Sequence, residues 1–279
     1  MPLDTSSAYP LALLRVDGRR WNDLRRLHAA VRTQAAADGS AYLEMGNTKV
    51  MCTVTGPSEE NKRRTAASTA TGNTGGAGGG AGAGGAEVAV EIVVGGFSSV
   101  DRKRRGRGDK RIHELQTTLS KALAAALHTH LYPRSTIALS LHVLSQDGSL
   151  LAALLNASTL ALVDAGIPMS DLPVACTAGL TSAASAADDP LVDLNAQEEQ
   201  ELPFLTLATL GDTDRVMVLV LETRVQAARL KDMVDLAADA CKSVHKSLRE
   251  VVRRRGEHMV EEGAVEKGAS MAMDMDIDV

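Results

Sequence analysis

The amino-acid sequence predicts an α/β fold made of two β-rich halves with packed helices. Segments with strand character are followed by a segment whose apolar residues recur with helical spacing, and this succession occurs twice along the chain. The chain has 279 residues, of which 44% are apolar, so it is long enough to bury a substantial core. Because only 2% of the residues are aromatic, Val, Leu, Ala and Ile have to supply that core.

The first half opens with two strand-forming stretches that a low-complexity insertion separates. Residues 41–57 mix β-branched and apolar residues around Gly46-Asn47, which predicts a hairpin. Residues 87–97 predict a further strand. The intervening residues 65–86 are almost entirely Gly, Ala, Ser and Thr, a composition that cannot bury enough apolar surface to fold. We therefore expect a disordered insertion between two strands.

Two helices complete the first half. Leucines recur at every fourth position from Leu115 to Leu131, which predicts an amphipathic helix that ends before Pro133. Residues 136–144 predict a strand, and residues 150–164 predict a buried helix rich in small residues. The apolar stripe of the first helix has to pack on a sheet.

The second half repeats the pattern of strands followed by a helix. Residues 174–181, 204–210 and 216–222 predict strands, and residues 230–251 form the periodic apolar face of a final helix. We divide the chain into a leader at 1–14, a domain at 15–255 and a disordered acidic tail at 256–279.

Charge and cysteine content exclude several classes of protein. The net charge of -5 argues against a uniformly basic nucleic-acid binder but leaves room for local basic clusters. Cys52, Cys176 and Cys241 lie too far apart for a disulfide framework or a zinc site, so we expect buried thiols and no metal or cofactor. No run of about 18 apolar residues occurs, so we expect a soluble intracellular protein.

Four short stretches, taken in their order and spacing, resemble the ribonuclease PH family and in particular those members that form the ring of the eukaryotic RNA exosome. The resemblance extends over residues 15–254 and leaves out the insertion and the tail. It implies a ribonuclease PH-like fold, the class also known as ribosomal protein S5 domain 2-like. The four stretches are Val16 to Arg20, Asp38 to Lys49, Gln146 to Gly148 and Asn156 to Met169.

Active members of the family cleave RNA from its 3′ end by phosphorolysis, in which phosphate attacks the terminal phosphodiester. Two arginines hold the phosphate, a task that suits the forked guanidinium donors. The resemblance places the first arginine at Arg111, three residues before Glu114, and the second at the position of Leu151. A leucine neither donates a hydrogen bond nor carries charge, so the phosphate pocket is expected to be lost.

The family also uses a carboxylate motif for metal binding or proton transfer. Asp193 matches its first carboxylate, Ala196 replaces a glutamate, and Glu199 stands where the second aspartate is found. The resemblance therefore implies no catalytic residues, with Arg111, Asp193 and Glu199 as vestiges. A working phosphorolytic 3′-5′ exoribonuclease, which uses these three residues and an unrecognised replacement for the second arginine, is the alternative.

Two basic clusters are the candidate RNA-binding residues. By composition they indicate a solvated surface or a nuclear import signal. The resemblance instead places the first cluster near the entrance of the ring's central channel and the second inside that channel, where positive charges hold a phosphate backbone without reading sequence. With so few aromatic residues, stacking of several bases on exposed rings is not expected. The clusters are Lys62, Arg63 and Arg64, followed by Arg102, Lys103, Arg104, Arg105, Arg107, Lys110 and Arg111.

The function that the resemblance implies is a non-catalytic ring subunit that guides RNA 3′ ends through the channel for processing or degradation. Its implied partners are other ribonuclease PH-type subunits in a six-membered hetero-ring, RNA-binding cap subunits, an associated catalytic nuclease and single-stranded RNA, with no membrane. Its implied location is the nucleus and nucleolus, and also the cytoplasm. An interaction module without an RNA role, whose basic runs direct only nuclear import, is a third hypothesis.

Overall fold

The computed structural model describes residues 15, 17–59, 85–99, 102, 109–181 and 190–261. The predicted leader, almost all of the predicted insertion at 65–86 and the chain from 262 onward lie outside the described residues.

The first half of the chain forms five strands: β1 Leu27–Val31, β2 Gly39–Met45, β3 Thr48–Ser58, β4 Glu87–Val94 and β5 Thr136–Ser145. They make one sheet with the order β1-β2-β3-β5-β4. The strands β4 and β5 are parallel to each other, whereas the other neighbours in the sheet are antiparallel. The hairpin predicted around Gly46-Asn47 is confirmed as β2 and β3.

The second half forms a four-stranded antiparallel sheet with the order β7-β6-β8-β9, in which β9 occupies one edge. Its strands are β6 Pro173–Leu180, β7 Pro190–Val192, β8 Phe204–Leu210 and β9 Val216–Leu221. The helices of the whole chain are α1 Lys110–Ala126, α2 Leu150–Asp164, α3 Ala196–Glu201 and α4 Ala227–Glu261, with a 3-10 turn at Thr129–Leu131.

The buried helix α2 joins the two sheets into one core, since it packs on β2 and β3 of the first sheet and on β6 of the second. The side chain of Asn156 in α2 bonds to both backbone groups of Ala175 in β6, at 3.0 Å to its oxygen and 2.8 Å to its nitrogen. Helix α1 packs on β4, and α4 packs on β6, β8 and β1. The predicted α/β fold of two β-rich halves is therefore confirmed.

The helix α1 is shorter than the leucine spacing predicts. It ends at Ala126, and Leu131 is 53% exposed. The backbone beyond the helix pairs instead with the segment that follows α2, because His128 N donates to Pro168 O and Ser170 N donates to Ala126 O. Tertiary hydrogen bonds thus end the helix one turn before the apolar pattern does.

Three elements were not predicted: β1, the three-residue β7 and the six-residue α3. The helix α4 also continues to Glu261 and so includes the first six residues of the predicted tail, which starts at 256. The three cysteines are buried free thiols, as predicted, and burial raises the pKa of Cys52 to about 12.

We predict that Gly39→Ala destabilises the fold, because a Cβ at this position would lie 2.3 Å from Ala161 O and 2.5 Å from Ala165 N, both backbone atoms of the α2 region. The strand and the helix would have to separate, at a cost of about 1–3 kcal/mol in the free energy of unfolding. Urea denaturation followed by circular dichroism measures this loss. Gly96→Ala is the matched control, since nothing lies within 4 Å of a Cβ there. Equal stability of the two variants would show that β2 and α2 do not require this close approach.

Candidate functional site

A buried ion pair between Arg25 and Asp193 lies where the segment before β1 meets the end of β7. The Arg25 Nη2 to Asp193 Oδ1 distance is 2.6 Å, and the two side chains are 4% and 1% exposed. Arg25 N also donates to Asp193 Oδ2 at 2.9 Å, and Ser149 Oγ donates to Oδ1 at 3.0 Å. Burial alone would raise the pKa of Asp193, but the charge and hydrogen bonds of Arg25 outweigh it, so this pKa lies below its ordinary value of 3.8.

Two of the four stretches that carried the family resemblance, Asp38 to Lys49 and Gln146 to Gly148, meet beside this ion pair. Arg25 Nη1 donates to Asp147 O at 2.5 Å, and Thr48 Oγ1 donates to Gly148 O at 2.8 Å. Gly148 has a φ of 74°, and a Cβ there would lie 2.5 Å from Leu194 O. The Gly-specific conformation lets the turn before α2 approach the segment after β7.

Two further arginines connect the N-terminal segment to the same region through hydrogen bonds and an ion pair. Arg15 forms a buried pair with Glu198, with 2.8 Å between Arg15 Nε and Glu198 Oε1. Arg19 donates to Asp193 O at 3.1 Å and to Asn195 Oδ1 at 3.0 Å. These bonds fix the position of α3, and therefore of Glu199 on it.

A cleft with a volume of about 620 Å³ opens between the N-terminal ends of α1 and α2 and the strands β8 and β9. It brings together Arg111, Leu151 and Glu199, three residues that the sequence predicts for one site. Asp193 does not line it, because its carboxylate is committed to the buried pair with Arg25. The lining residues are Asp109, Lys110, Arg111, Glu114, Leu115, Thr118, Gln146, Leu150, Leu151, Glu199, Phe204, Thr206, Val220 and Glu222.

The carboxylate of Glu199 stands at the beginning of α2. Ser149 N donates to Glu199 Oε1 at 2.5 Å. A helix N-terminus favours a negative group because its free N–H groups and its dipole are positive. In this structure the Glu199 carboxylate is that negative group. Burial raises the pKa of Glu199, while the Ser149 N–H and the Arg25 charge oppose the rise.

The charges of the cleft favour cations over anions. Its lining contains four carboxylates, on Asp109, Glu114, Glu199 and Glu222, against two cations, on Lys110 and Arg111, which leaves a net charge of −2. Arg111 is partly engaged already, since its Nη2 lies 3.7 Å from Glu222 Oε2, and its side chain is 65% exposed. Leu151 is buried in the core and contributes only apolar surface. An inorganic phosphate would therefore meet net repulsion here.

The predicted RNA-binding residues are only partly described. Arg102, Lys110 and Arg111 are exposed, whereas Lys62, Arg63, Arg64, Lys103, Arg104, Arg105 and Arg107 lie outside the described residues. Within the described part of the chain, no three His, Cys, Asp or Glu side chains are grouped to hold a metal ion. Nor does any described helix have the length and apolar character to cross a membrane.

Four residues were not singled out from the sequence: Arg25, Ser149, Glu222 and Phe97. Arg25 and Ser149 complete the bonds around Asp193, and Glu222 pairs with Arg111 across the cleft. Phe97 is exposed in the turn between β4 and α1. A single arginine or serine in a sequence gives no sign of a partner more than 40 residues away. Phe97, in contrast, is one of two phenylalanines and precedes a basic run, so the sequence offered a signal for it.

Two family models match most of the chain. The model for domain 1 of the 3' exoribonuclease family matches residues 23–168, and the model for domain 2 of that family matches residues 171–240.

Two exosome complex components are similar to this chain over most of its length. The exosome complex component ski6 of Schizosaccharomyces pombe is 36% identical over 241 residues, 86% of this chain and 91% of that protein. The exosome complex component RRP41 of Homo sapiens is 38% identical over 240 residues, again 86% of this chain and 91% of that protein.

Two solved structures share the fold. Rice (Oryza sativa) Rrp46 superposes with a TM-score of 0.67 at 24% identity, over 85% of this chain and 100% of that one. The Archaeoglobus fulgidus exosome with RNA bound to its active site gives a TM-score of 0.66 at 20% identity, over 88% and 96%. These superpositions confirm the predicted ribonuclease PH-like fold.

We predict that Asp193→Asn lowers the free energy of unfolding by about 3–5 kcal/mol at neutral pH, since it leaves Arg25 charged and buried without its counter-ion. Urea denaturation measures the loss. Asp193 has a lowered pKa in the folded chain, so its contribution is complete above about pH 4 and disappears as the pH falls further below 3.8. The difference between the wild type and the variant should shrink over that acidic range.

Glu257→Gln is the matched control, because Glu257 pairs with Arg253 on the exposed surface of α4 at 2.9 Å. That pair is worth about 0.3–0.5 kcal/mol. If the two substitutions cost the same, the Arg25–Asp193 pair does not organise this region.

Proposed function

The chain belongs to the 3' exoribonuclease family, and on that premise we propose that it is a non-catalytic ring subunit of an RNA exosome. In this role it supports the assembly and guides RNA 3′ ends along the channel, while another protein cuts the RNA. The observation that carries the proposal is the cleft in which Leu151 and Glu199 occupy the place expected for a phosphate site.

Phosphorolysis requires inorganic phosphate to be bound in line with the scissile bond, and two features of the cleft oppose that binding. Leu151 offers no donor where the resemblance implies a second arginine. The Glu199 carboxylate accepts the Ser149 N–H at the start of α2, so the anion-binding end of that helix is already occupied. Arg111 alone, already near Glu222, does not compensate for this arrangement.

The enzymatic alternative needs a replacement for the second arginine. Lys110 is the other cation of the cleft wall and is the described candidate. Its positive charge and that of Arg111 together still face four carboxylates. The alternative also needs Asp193 as a reacting carboxylate, whereas its oxygens are bound to Arg25 and Ser149. The scaffold role is therefore the better supported of the two.

The names of the relatives support the exosome assignment. The relatives at 36% and 38% identity are named as exosome complex components. We propose accordingly that the partners are other ribonuclease PH-type subunits in a six-membered ring, cap subunits, an attached nuclease and single-stranded RNA. The basic clusters would then hold the RNA backbone by charge. The proposed location is the nucleus, the nucleolus and the cytoplasm.

We predict that the full chain, alone and in an assembled ring, releases no nucleoside diphosphates from single-stranded RNA at millimolar phosphate. The physical reason is the missing second arginine together with the carboxylate-rich cleft. Chromatography of the products measures the outcome, with an active ribonuclease PH-type enzyme assayed in parallel. If the wild type releases nucleoside diphosphates and the Arg111→Ala variant does not, the scaffold proposal is wrong and the enzymatic alternative is correct.

Restoring one arginine should not restore the reaction. We predict that Leu151→Arg yields at most slight phosphorolysis, because the new guanidinium lies beside Glu199 and the groups of such a site act together rather than additively. The same product assay measures it. Leu131→Arg, a matched change of an exposed leucine away from the cleft, is the control. Phosphorolysis in Leu151→Arg at the rate of the active enzyme would mean that Glu199 and Ala196 are no obstacle.

A further inference from the structure

Phe97 is an exposed aromatic residue that neither the fold nor the cleft explains. The chain has two phenylalanines, and this one is 70% exposed, more than any other large apolar residue that the structure describes. It lies in the turn between β4 and α1, immediately before the predicted basic run that starts at Arg102. An apolar ring exposed to this extent leaves most of its surface in water, which is unfavourable compared with a polar side chain at the same position.

The turn that carries Phe97 is held firmly to the end of β5. Ser98 is buried, its N–H donates to Gly95 O at 2.9 Å, and its carbonyl accepts from Gln146 N at 2.9 Å. The Phe97 ring lies close over Gly95, since a Cβ on Gly95 would be 3.0 Å from Phe97 Cζ. The ring is therefore supported from one side while the rest of it faces solvent, so a ligand that contacts it loses little side-chain entropy.

The surroundings of this turn are suited to a polyanion. Arg102 is exposed, and its N–H donates to Ser99 O at 3.1 Å, which ties the start of the basic run to the Phe97 turn. Gln146, which holds the turn from the other side, belongs to the wall of the cleft, where Lys110 and Arg111 also lie. The turn that carries Phe97 is thus joined through Gln146 to the wall of the cleft, and through Ser99 to the exposed cation Arg102.

We propose that Phe97 is a stacking platform for one base of single-stranded RNA that passes over the mouth of the cleft, an inference that rests on the proposed RNA-guiding function. An aromatic ring accepts any base on its face, so the contact is independent of sequence. Arg102 on the turn and Lys110 and Arg111 on the cleft wall hold the phosphates on either side. The carboxylates inside the cleft repel those phosphates, which keeps the strand at the rim and away from the interior.

An exposed phenylalanine could instead contact another protein. Base stacking and a protein contact require different properties of the side chain. Stacking needs an aromatic face, whereas a protein contact needs apolar area, which leucine also supplies. The exposed Arg102 beside the Phe97 turn favours the nucleic acid. Substitution by leucine and by tryptophan therefore separates the two uses.

The test measures binding of a fluorescein-labelled single-stranded oligoadenylate to the full chain by fluorescence anisotropy over a series of salt concentrations. Phe97→Ala and Phe97→Leu should both weaken binding by on the order of tenfold at every salt concentration. Phe97→Trp should bind as tightly as the wild type or more tightly. Leu131→Ala, which removes an exposed apolar side chain elsewhere, should change nothing.

The salt dependence provides a second readout. Arg102→Ala should reduce the slope of log K against log salt by about 0.7, since it removes one phosphate contact to a single strand. Phe97→Ala should leave that slope unchanged, because stacking releases no counter-ions. Thermal unfolding of each variant verifies that the fold is intact.

Wild-type affinity in Phe97→Leu would overturn the proposal, and so would wild-type affinity in Phe97→Ala or no binding by the wild type even at low salt. Loss of assembly with ring subunits at unchanged RNA affinity would assign Phe97 to a protein contact and equally overturn it. A different result, the release of nucleoside diphosphates, would contradict the proposed function. The binding measurement on the Phe97 variants could still be interpreted in that case.

Discussion

The ion pair between Arg25 and Asp193 is the constraint on which the arrangement of the site depends. A buried ion pair depends on the hydrogen bonds around it, and here Ser149 and the Arg25 backbone donate to Asp193 while the Asp147 carbonyl accepts from Arg25; Arg25 Nε is buried without a partner. Asp147 and Ser149 belong to the turn before α2, Arg25 to the segment before β1 and Asp193 to the segment after β7. The segment before β1, the turn before α2 and the segment after β7 are thereby fixed against one another, and a change in one of them leaves a buried charge unsatisfied in the others.

The same arrangement determines which group of the chain lies at the start of α2. The bonds around Asp193 and Glu198 position α3, and α3 places Glu199 at the start of α2. That helix end remains an anion-binding position, but a carboxylate of the chain now occupies it. Leu151 belongs to the core and contributes only apolar surface at this helix end. On the proposed function, the bonds that support this region are kept although the cleft does not bind phosphate.

Much of the fold could be predicted from the sequence because local patterns specify it. The helix α2 and the strand β8 have the predicted bounds, since an apolar run between turn-forming residues fixes both. The end of α1 could not be predicted, because it is set by backbone bonds to Pro168 and Ser170 rather than by the leucine spacing. For the site, the family resemblance assigned Arg111, Leu151 and Glu199 to one site and the cleft brings them together, but the burial of Asp193 depends on Arg25, 168 residues away. Long-range pairing of charges leaves no periodic signal in a sequence.

The proposed scaffold role requires that the cleft does not bind the anion that phosphorolysis needs. Isothermal titration calorimetry of inorganic phosphate into the full chain at neutral pH measures this binding without RNA or turnover. We expect no saturable heat at millimolar phosphate, and the same trace for the wild type and for Arg111→Ala. Saturable binding in that range, abolished by Arg111→Ala, would show that the phosphate site is intact and would overturn the scaffold role.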